Sequence, residues 1–262
     1  MNPTKSQVKK PGRLAPANEL ANEFYGDALS RVHDTAFTAI PRAAAATAID
    51  LLPQPSGDSL IVDLGCGSGA ASRSFIEAGF RVHGIDISEP MINLARKAVP
   101  EADFEVGSIF DVQLPQALGV VAIGELFNYA TANRSPKSLG DMFDKISDSL
   151  EPGGLFLFDV AGPGRSRVTS QTQVHDTDDW TMWFHSEEDD EKALLTRKMT
   201  TFTRDDKASY TRSDELHLLR LWQDADIAQQ LDRSGLRGTK LPGYRGFPAA
   251  PGWSMWLARK PE

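Results

Sequence analysis

Cysteine is almost missing from this sequence. The 262 residues carry one, Cys66, which excludes an intramolecular disulfide and a cysteine-based metal site. Long hydrophobic runs are missing as well: none approaches the roughly 18 apolar residues that cross a bilayer. Positive charge is in deficit, with Lys+Arg 28 against Asp+Glu 36 and a formal net charge of −8. That balance argues against a nucleic-acid binder that relies on bulk charge. The opening segment MNPTKSQVKKPGR is basic and polar with no apolar stretch behind it, which predicts no secretory leader. What remains is ordinary for a globular chain: 40% hydrophobic and 24% charged residues, enough to bury a sizeable core. The expectation is a cytoplasmic, enzyme-sized protein with no metal, no nucleic acid and no membrane as partner; composition leaves the oligomeric state open.

Residues 1–16 read as a basic, mobile tail with little to bury. Residues 17–57 are helical in pattern. Phe24, Leu29, Val32, Phe37 and Ile40 form a candidate inward face, and the Ala-rich 43–48 has high helix propensity. From 58 to 162 the rhythm becomes strand, turn, helix. Ser59-Leu-Ile-Val-Asp63 is a short buried strand, followed by a helix over 70–78, a strand over 81–86 and a helix over 89–98 capped by Ser88. Strands at 102–106, 118–124 and 155–160 follow, with a helix over 136–150 and a turn at Pro152-Gly-Gly154. That alternation predicts a doubly wound parallel α/β sheet. Residues 163–221 then read as an antiparallel meander with strands at 180–186, 192–203 and 208–220. The acidic run Glu187-Glu-Asp-Asp-Glu191 marks a solvated hairpin tip. Residues 222–262 supply a helix at 223–234 and two last strands, 236–244 and 253–259.

Gly65, Gly67 and Gly69 stand between a strand and a helix start. Glycine tolerates positive φ and presents no Cβ, so a ligand can approach the backbone, and helix-start N–H groups favour a negative ligand group. Taken alone, the spelling fits a plain structural turn or a dinucleotide loop. Two acids narrow the choice. Asp63, two residues before Gly65, would face a dinucleotide's pyrophosphate unfavourably but suits a ligand carrying an ammonium. Asp86, 23 residues further on at the next strand's end, is placed to accept from a ribose diol. Ile87 and Ile109, near the second and third strand ends, are candidates to sandwich a flat base.

Three stretches in order, Ile61-Val-Asp-Leu-Gly-Cys-Gly-Ser-Gly69, Gly84-Ile-Asp-Ile-Ser88 with Met91, and Leu150-Glu-Pro-Gly-Gly-Leu155, resemble successive signatures of the class I S-adenosylmethionine-dependent methyltransferases. The resemblance runs from about residue 59 to 160. It implies a Rossmann-like, seven-stranded α/β sheet with the β meander added after the fifth strand. The implied cofactor is S-adenosylmethionine, with S-adenosylhomocysteine as product. Asp63 and the loop Gly65, Cys66, Gly67 and Gly69 would then hold the methionine end, Asp86 the ribose, Ile87 the adenine, and Ser108–Ile109 would close over it. Family members often place an acid where Ser108 stands; Ser108 or Asp111 would have to serve instead.

The implied activity is methyl transfer to a small-molecule acceptor. Such a displacement needs alignment and a dry pocket more than strong catalytic groups, and a base only when the acceptor arrives protonated. Gly124, Glu125, Asn128 and Tyr129 follow the fourth strand's carboxyl end, where parallel sheets bind ligands. In the meander, Glu215 and His217 share one strand face, which makes His217 and Glu125 the candidate catalytic groups. Tyr210 is a further pocket candidate, as are Tyr25 and Arg31 if the N-terminal helices close as a lid, which is implied by the resemblance. Trp180, Trp183 and Phe184 read as an aromatic wall or as packing, while His33 and His175 read as structural. Two other classes stay open: a cofactor-binding protein without methyl transfer, a sensor or partner subunit, and a nicotinamide-dependent dehydrogenase.

Overall fold

The computed structural model describes residues 25–132, 134–135, 137–166, 172–205 and 209–262. The 1–16 tail and Phe24 lie outside them. The helical region resolves into α1 (Asp27–Ala36) and α2 (Ala39–Leu51). The central layer alternates β1 (Leu60–Leu64), α3 (Ala70–Glu77), β2 (Arg81–Asp86), α4 (Glu89–Ala98), β3 (Asp103–Val106), β4 (Ala117–Ala122), α5 (Leu126–Thr131), α6 (Lys137–Ser149) and β5 (Leu150–Ala161). After the meander come α7 (Asp224–Arg233), β10 (Arg237–Leu241), the short pair β11 (Gly243–Tyr244) and β12 (Phe247–Pro248), and β13 (Trp253–Arg259). Seven strands form one sheet in the order β10-β13-β5-β4-β1-β2-β3. All run parallel except β13, which lies antiparallel between β5 and β10. The fold is the doubly wound α/β sheet that the alternation predicts.

Its strands are near-continuous apolar runs because both faces are covered. Alternation along one strand then divides the core in two. Val62 and Leu64 join Val120, Phe156, Phe158 and the apolar face of α6, while Ile61 joins Val121, Leu155, Leu157 and Phe75 beneath the alanines of α2. Ala44, Ala45 and Ala48 are fully covered, small side chains that let α2 lie close to the sheet. Phe127, Phe143, Phe156 and Phe158 pack edge to face with centroids 5.3–6.0 Å apart, except for a stacked Phe156–Phe158 pair at 4.4 Å. Each contributes about 1.5–3 kcal/mol through burial. Ser88 caps α4, its Oγ accepting from Met91 N at 3.3 Å.

Three boundaries differ from the sequence expectation. The Pro152-Gly-Gly154 turn is a bulge inside a 12-residue β5, with Gly153 at φ 75°. The expected 236–244 strand stops at Leu241, because Pro242 has no N–H for the ladder, and the chain turns into the β11–β12 hairpin. The meander has four strands rather than three: β6 (Gln173–Asp176) precedes β7 (Trp180–Asp189), β8 (Leu194–Arg204) and β9 (Tyr210–Arg220) in one antiparallel sheet. The covered face of that sheet meets α1, where Leu29 and Val32 pack on Met182 and Met199. Among the described residues no helix is long and apolar enough to cross a membrane.

Candidate functional site

The carboxyl ends of β1 and β2 deliver Asp63 and Asp86 beside the glycine turn. Gly65, Gly67 and Gly69 all have positive φ, at 65°, 53° and 83°. The N–H groups of Gly65 and Cys66 donate to Ile85 O, which ties the turn to β2. Asp86 receives Gly67 N at 2.9 Å and Ser88 N at 2.8 Å, so one carboxylate holds both the loop and the start of α4. Burial pushes its carboxyl up, and those backbone N–H groups oppose the rise. Asp63 is fully buried and accepts from Ser72 Oγ at 2.6 Å; burial lifts its carboxyl to about 7 against that hydrogen bond. Cys66 is buried in the turn, its thiol pushed up by desolvation, an inert packing residue.

These groups open onto a cavity of about 820 Å³. Its glycine-turn end is lined by Asp63, Asp86, Ile87, Met91, Ser108 and Ile109, with Gly65, Cys66 and Gly67 beneath. Ile87 is 58% exposed although apolar, a flat hydrophobic face left uncovered by the protein. Gly124 closes the series: it has φ 86°, and a Cβ built there meets no atom within 4 Å, so the cavity is open at the end of β4. A buried acceptor carboxylate, an uncovered apolar face and open backbone at a glycine fit a nucleoside with a charged tail. Gly69 stands apart. Its missing Cβ faces Ala95, Val99 and Phe104 at 3.3–3.4 Å, and it serves the packing of α3 on α4 rather than the cavity. Ser108 Oγ accepts from Phe110 N at 3.3 Å, a local turn bond, and Asp111 is exposed outside the cavity.

The other end of the cavity is built by α5, the meander and α1. Glu125 sits in a left-handed conformation (φ 63°) at the start of α5. Asp159 of β5 holds it there, accepting from Glu125 N at 2.7 Å, Gly124 N at 3.2 Å and Tyr244 Oη at 3.0 Å. Burial, reinforced by the neighbouring charge of Glu125, raises the Asp159 carboxyl to about 6. The Glu125 carboxylate is bracketed by Arg165 Nε at 2.6 Å and Arg197 Nη2 at 2.7 Å. Burial alone would raise its pKa, but the two guanidinium groups outweigh that and hold it below the ordinary carboxylate range. Glu125 is therefore a fixed anion rather than a base. Tyr129 lines the cavity and accepts from Arg197 Nη1 at 2.8 Å.

Several expected site residues lie elsewhere. His217 is fully buried but outside the cavity. Its Nε2 meets Glu215 Oε2 at 2.9 Å, and its ring lies against Tyr25 and Tyr129 with centroids 5.3 and 5.5 Å away. Glu215 in turn accepts from Tyr25 N and Gly26 N at 3.0 and 3.2 Å, fastening the start of α1 to β9. Both form a layer behind the cavity wall. Asn128, also fully buried, donates to Ala161 O at 2.7 Å and accepts Ala161 N at 2.9 Å, joining α5 to β5 instead of facing a ligand. Arg31 and Tyr210 are exposed outside the cavity, on the solvent sides of α1 and β9. Tyr25 does reach it, anchored by Ser88 Oγ donating to its carbonyl at 2.8 Å. Of the three aromatic residues of β7, Phe184 alone lines the cavity. Trp183 points outward at 52% exposure, and Trp180 packs with Leu29 and Val32. The acidic run is not wholly solvated, since Glu188 accepts from the N–H groups of Gly164 and Ser166.

The sequence reading missed His33, His175, Arg165 and Arg197, all of which line the cavity. Desolvation lowers the His33 imidazole to about 4, so it is neutral near pH 7. Arg197 had a readable signal: it alternates with Leu195 and Met199 on β8, a charge among inward apolar positions. Arg165, in the loop after β5, had none.

Residues 61–154 match the family model of a methyltransferase domain. A protein named as a methyltransferase in Geobacillus sp. (strain WCH70) is 27% identical over 195 residues, covering 68% of this chain and 74% of its own. The dTDP-4-amino-2,3,4,6-tetradeoxy-D-glucose N,N-dimethyltransferase of Saccharopolyspora spinosa is 25% identical over 193 residues, 72% of this chain and 75% of its own. Among solved structures, an S-adenosylmethionine-dependent methyltransferase from Clostridium acetobutylicum ATCC 824 superposes with a TM-score of 0.75 at 19% identity. It covers 89% of this chain and 98% of the other.

Proposed function

We propose that this protein, a class I S-adenosylmethionine-dependent methyltransferase, methylates a small molecule held between the glycine turn and the meander. The observation that carries this is one continuous cavity, with Asp63 and Asp86 at one end and Glu125, Tyr129 and Arg197 at the other. In this reading Asp86 holds the ribose hydroxyls, Asp63 the ammonium of the methionine end, and Ile87 and Ile109 the adenine. When bound, the cofactor supplies a methyl group on a sulfonium and leaves as the neutral thioether S-adenosylhomocysteine. The chain's own part is alignment and exclusion of water. The β6–β9 sheet and α1 cover the acceptor end, and Glu215 fixes that cover by holding the backbone of Tyr25 and Gly26. Glu125 is committed to two arginines and His217 is outside the cavity, so neither of these two expected groups is placed to take a proton from the acceptor. The S. spinosa relative, named for an amino-sugar nucleotide, supports a small-molecule acceptor.

Calorimetric titration with S-adenosylhomocysteine, with NAD as control, tests the cofactor half: binding of the first alone is expected, and binding of NAD alone would overturn it. Acceptor-dependent release of S-adenosylhomocysteine then separates an enzyme from a cofactor-binding partner subunit.

A further inference from the structure

One side of α1 and its flanks is laid along the cavity. Tyr25, Leu29, His33 and Phe37 recur at intervals of four, the spacing that stacks side chains along one face of a helix, and all four line the cavity. Met182, Phe184 and Met199 line it from the added sheet and pack with the same face. The result is a stretch of wall made of aromatic rings, aliphatic carbon and thioethers, interrupted by one imidazole. That ring is wedged between Tyr25, edge on at 5.2 Å, and Phe37, stacked at 5.5 Å, so its place in the wall is fixed. Neither nitrogen of His33 has a hydrogen-bond partner among the described residues, and both keep accessible surface. His217 is the contrast, with Nε2 engaged by Glu215 behind the wall. Desolvation outweighs the carboxylate of Asp34 and keeps the His33 ring neutral near pH 7. The charged groups Glu125, Arg165 and Arg197 of the same cavity are engaged with one another.

We propose that the acceptor is a flat, uncharged apolar ring bearing a hydroxyl, which lies against α1 and is selected by a hydrogen bond between that hydroxyl and His33. This rests on the methyltransferase reading and names the chemical class of its acceptor. A ring packs on the aromatic and thioether wall, while a hydroxyl, donor and acceptor at one atom, suits either tautomer of a neutral imidazole. A ligand that is apolar throughout strips water from His33 and gives nothing back. A carboxylate or ammonium at that place loses its hydration and meets no opposite charge on this face of α1.

The test uses the full chain saturated with S-adenosylhomocysteine. Thermal unfolding is followed with p-cresol, with p-xylene, which has the same shape without the hydroxyl, and with 4-methylbenzoate, at equal concentrations. The largest rise in Tm is expected with p-cresol, a smaller one with p-xylene and the least with the anion. His33→Phe keeps a ring in the wall and is expected to remove the difference between p-cresol and p-xylene. His33→Gln, which retains a donor and an acceptor, is expected to keep part of it. His175→Ala is expected to leave it unchanged, since His175 is exposed on β6 and meets the wall only through Phe37, at 5.9 Å. Equal rises from p-cresol and p-xylene, a rise with 4-methylbenzoate as large as with p-cresol, or no rise at all overturns the proposal. So does a preference that survives in folded His33→Phe. A second readout needs no variant: diethyl pyrocarbonate acylates free neutral imidazoles, and peptide mapping reads each histidine. His33 is expected to react and p-cresol to slow it; an inert His33, or one that p-cresol leaves equally reactive, overturns the proposal. Once an acceptor supports release of S-adenosylhomocysteine, His33→Phe is expected to lower its kcat/KM about twofold to tenfold, the scale of one hydrogen bond. Should S-adenosylhomocysteine fail to bind while the p-cresol preference persists, the methyltransferase reading falls and the His33 site stands; loss of the preference with S-adenosylhomocysteine bound overturns this inference alone.

Discussion

The two ends of the cavity are made in different ways. At the cofactor end the bonds are short in sequence: Asp86 reaches Ser88 two residues away and Gly67 nineteen away, and Asp63 reaches Ser72 nine away. At the acceptor end they are long: Arg165 lies 40 residues from Glu125, Arg197 lies 68 from Tyr129, and Glu215 lies 190 from Tyr25. The first end is the property of two adjacent βα units and uses carboxylates to gather backbone N–H groups. The second exists only once the meander has docked, and uses opposite charges and aromatic rings to hold separate segments together. The first end thus needs only its own two βα units to form, while the second needs the β6–β9 sheet in place.

Breaking the acceptor end should cost the most stability. Glu125→Ala leaves Arg165 and Arg197 facing each other without their shared carboxylate in a buried place. The expected loss is about 3–5 kcal/mol, read by denaturant unfolding. A loss under about 1 kcal/mol would show that the three groups are solvated rather than enclosed. At the cofactor end the corresponding change is Asp86→Ala. It removes the acceptor of Gly67 N and Ser88 N together with the proposed ribose contact, and should weaken S-adenosylhomocysteine binding by more than about tenfold with a smaller effect on folding. Near-wild-type affinity would remove Asp86 from the ribose role. The contrast between the two variants, one losing stability and the other affinity, is what the difference between the ends predicts.

Proton linkage sharpens the same contrast. The folded Asp63 carboxyl titrates at about 7, above its ordinary value of about 3.9, because it is buried. Between those values the folded protein keeps a proton that the unfolded chain has released. Stability from this group is thus present at low pH and declines as pH rises towards 7. Asp159, raised to about 6, acts with the same sign, so the difference between wild type and Asp63→Asn isolates Asp63. Asp63→Asn should flatten the decline between about pH 4 and pH 7 in denaturant titrations. An ammonium-bearing ligand favours the ionised carboxylate, so wild-type affinity for S-adenosylhomocysteine should rise over that interval, with proton release visible in buffers of different ionisation enthalpy. An affinity independent of pH would mean that Asp63 does not meet the ligand's charge.

Legibility in the sequence follows the same division. The Ile61–Gly69 turn, Asp86 and the strand–helix alternation could be read because each depends on neighbours within a turn or two, and apolar periodicity reports a strand covered on both faces. The fourth strand of the added sheet escaped notice because β6 is four residues long and wholly exposed, so burial leaves no alternating mark on it. His33 gave no chemical signal in a helix of mixed polarity; it reaches the cavity because α1 is laid over Met182 and Met199. Glu125 and Asn128 were correctly placed after β4, but what each does is set by residues far along the chain. Arg165 and Arg197 neutralise the first, and Ala161 engages the second. Position along a strand is a local matter, whereas the role of a polar side chain depends on what reaches it.

His217 offers the smallest expected effect and the finest test of that distinction. On sequence it was the candidate base; in the fold its Nε2 meets Glu215, and its ring supports Tyr25 and Tyr129 from behind the cavity wall. A residue in that position acts by holding the cover. His217→Ala should lower turnover by a few-fold, on the scale of one lost buried contact, through a looser Tyr25. It should leave affinity for S-adenosylhomocysteine and the shape of the rate–pH profile as they are. His217→Gln, which can still donate to Glu215, should restore most of the loss. If the profile instead loses a limb in the alanine variant and glutamine gives no rescue, the imidazole takes a proton during turnover. The meander would then have to open far enough to bring His217 to the acceptor, and the acceptor end would be a moving part rather than the rigid counterpart of the glycine turn.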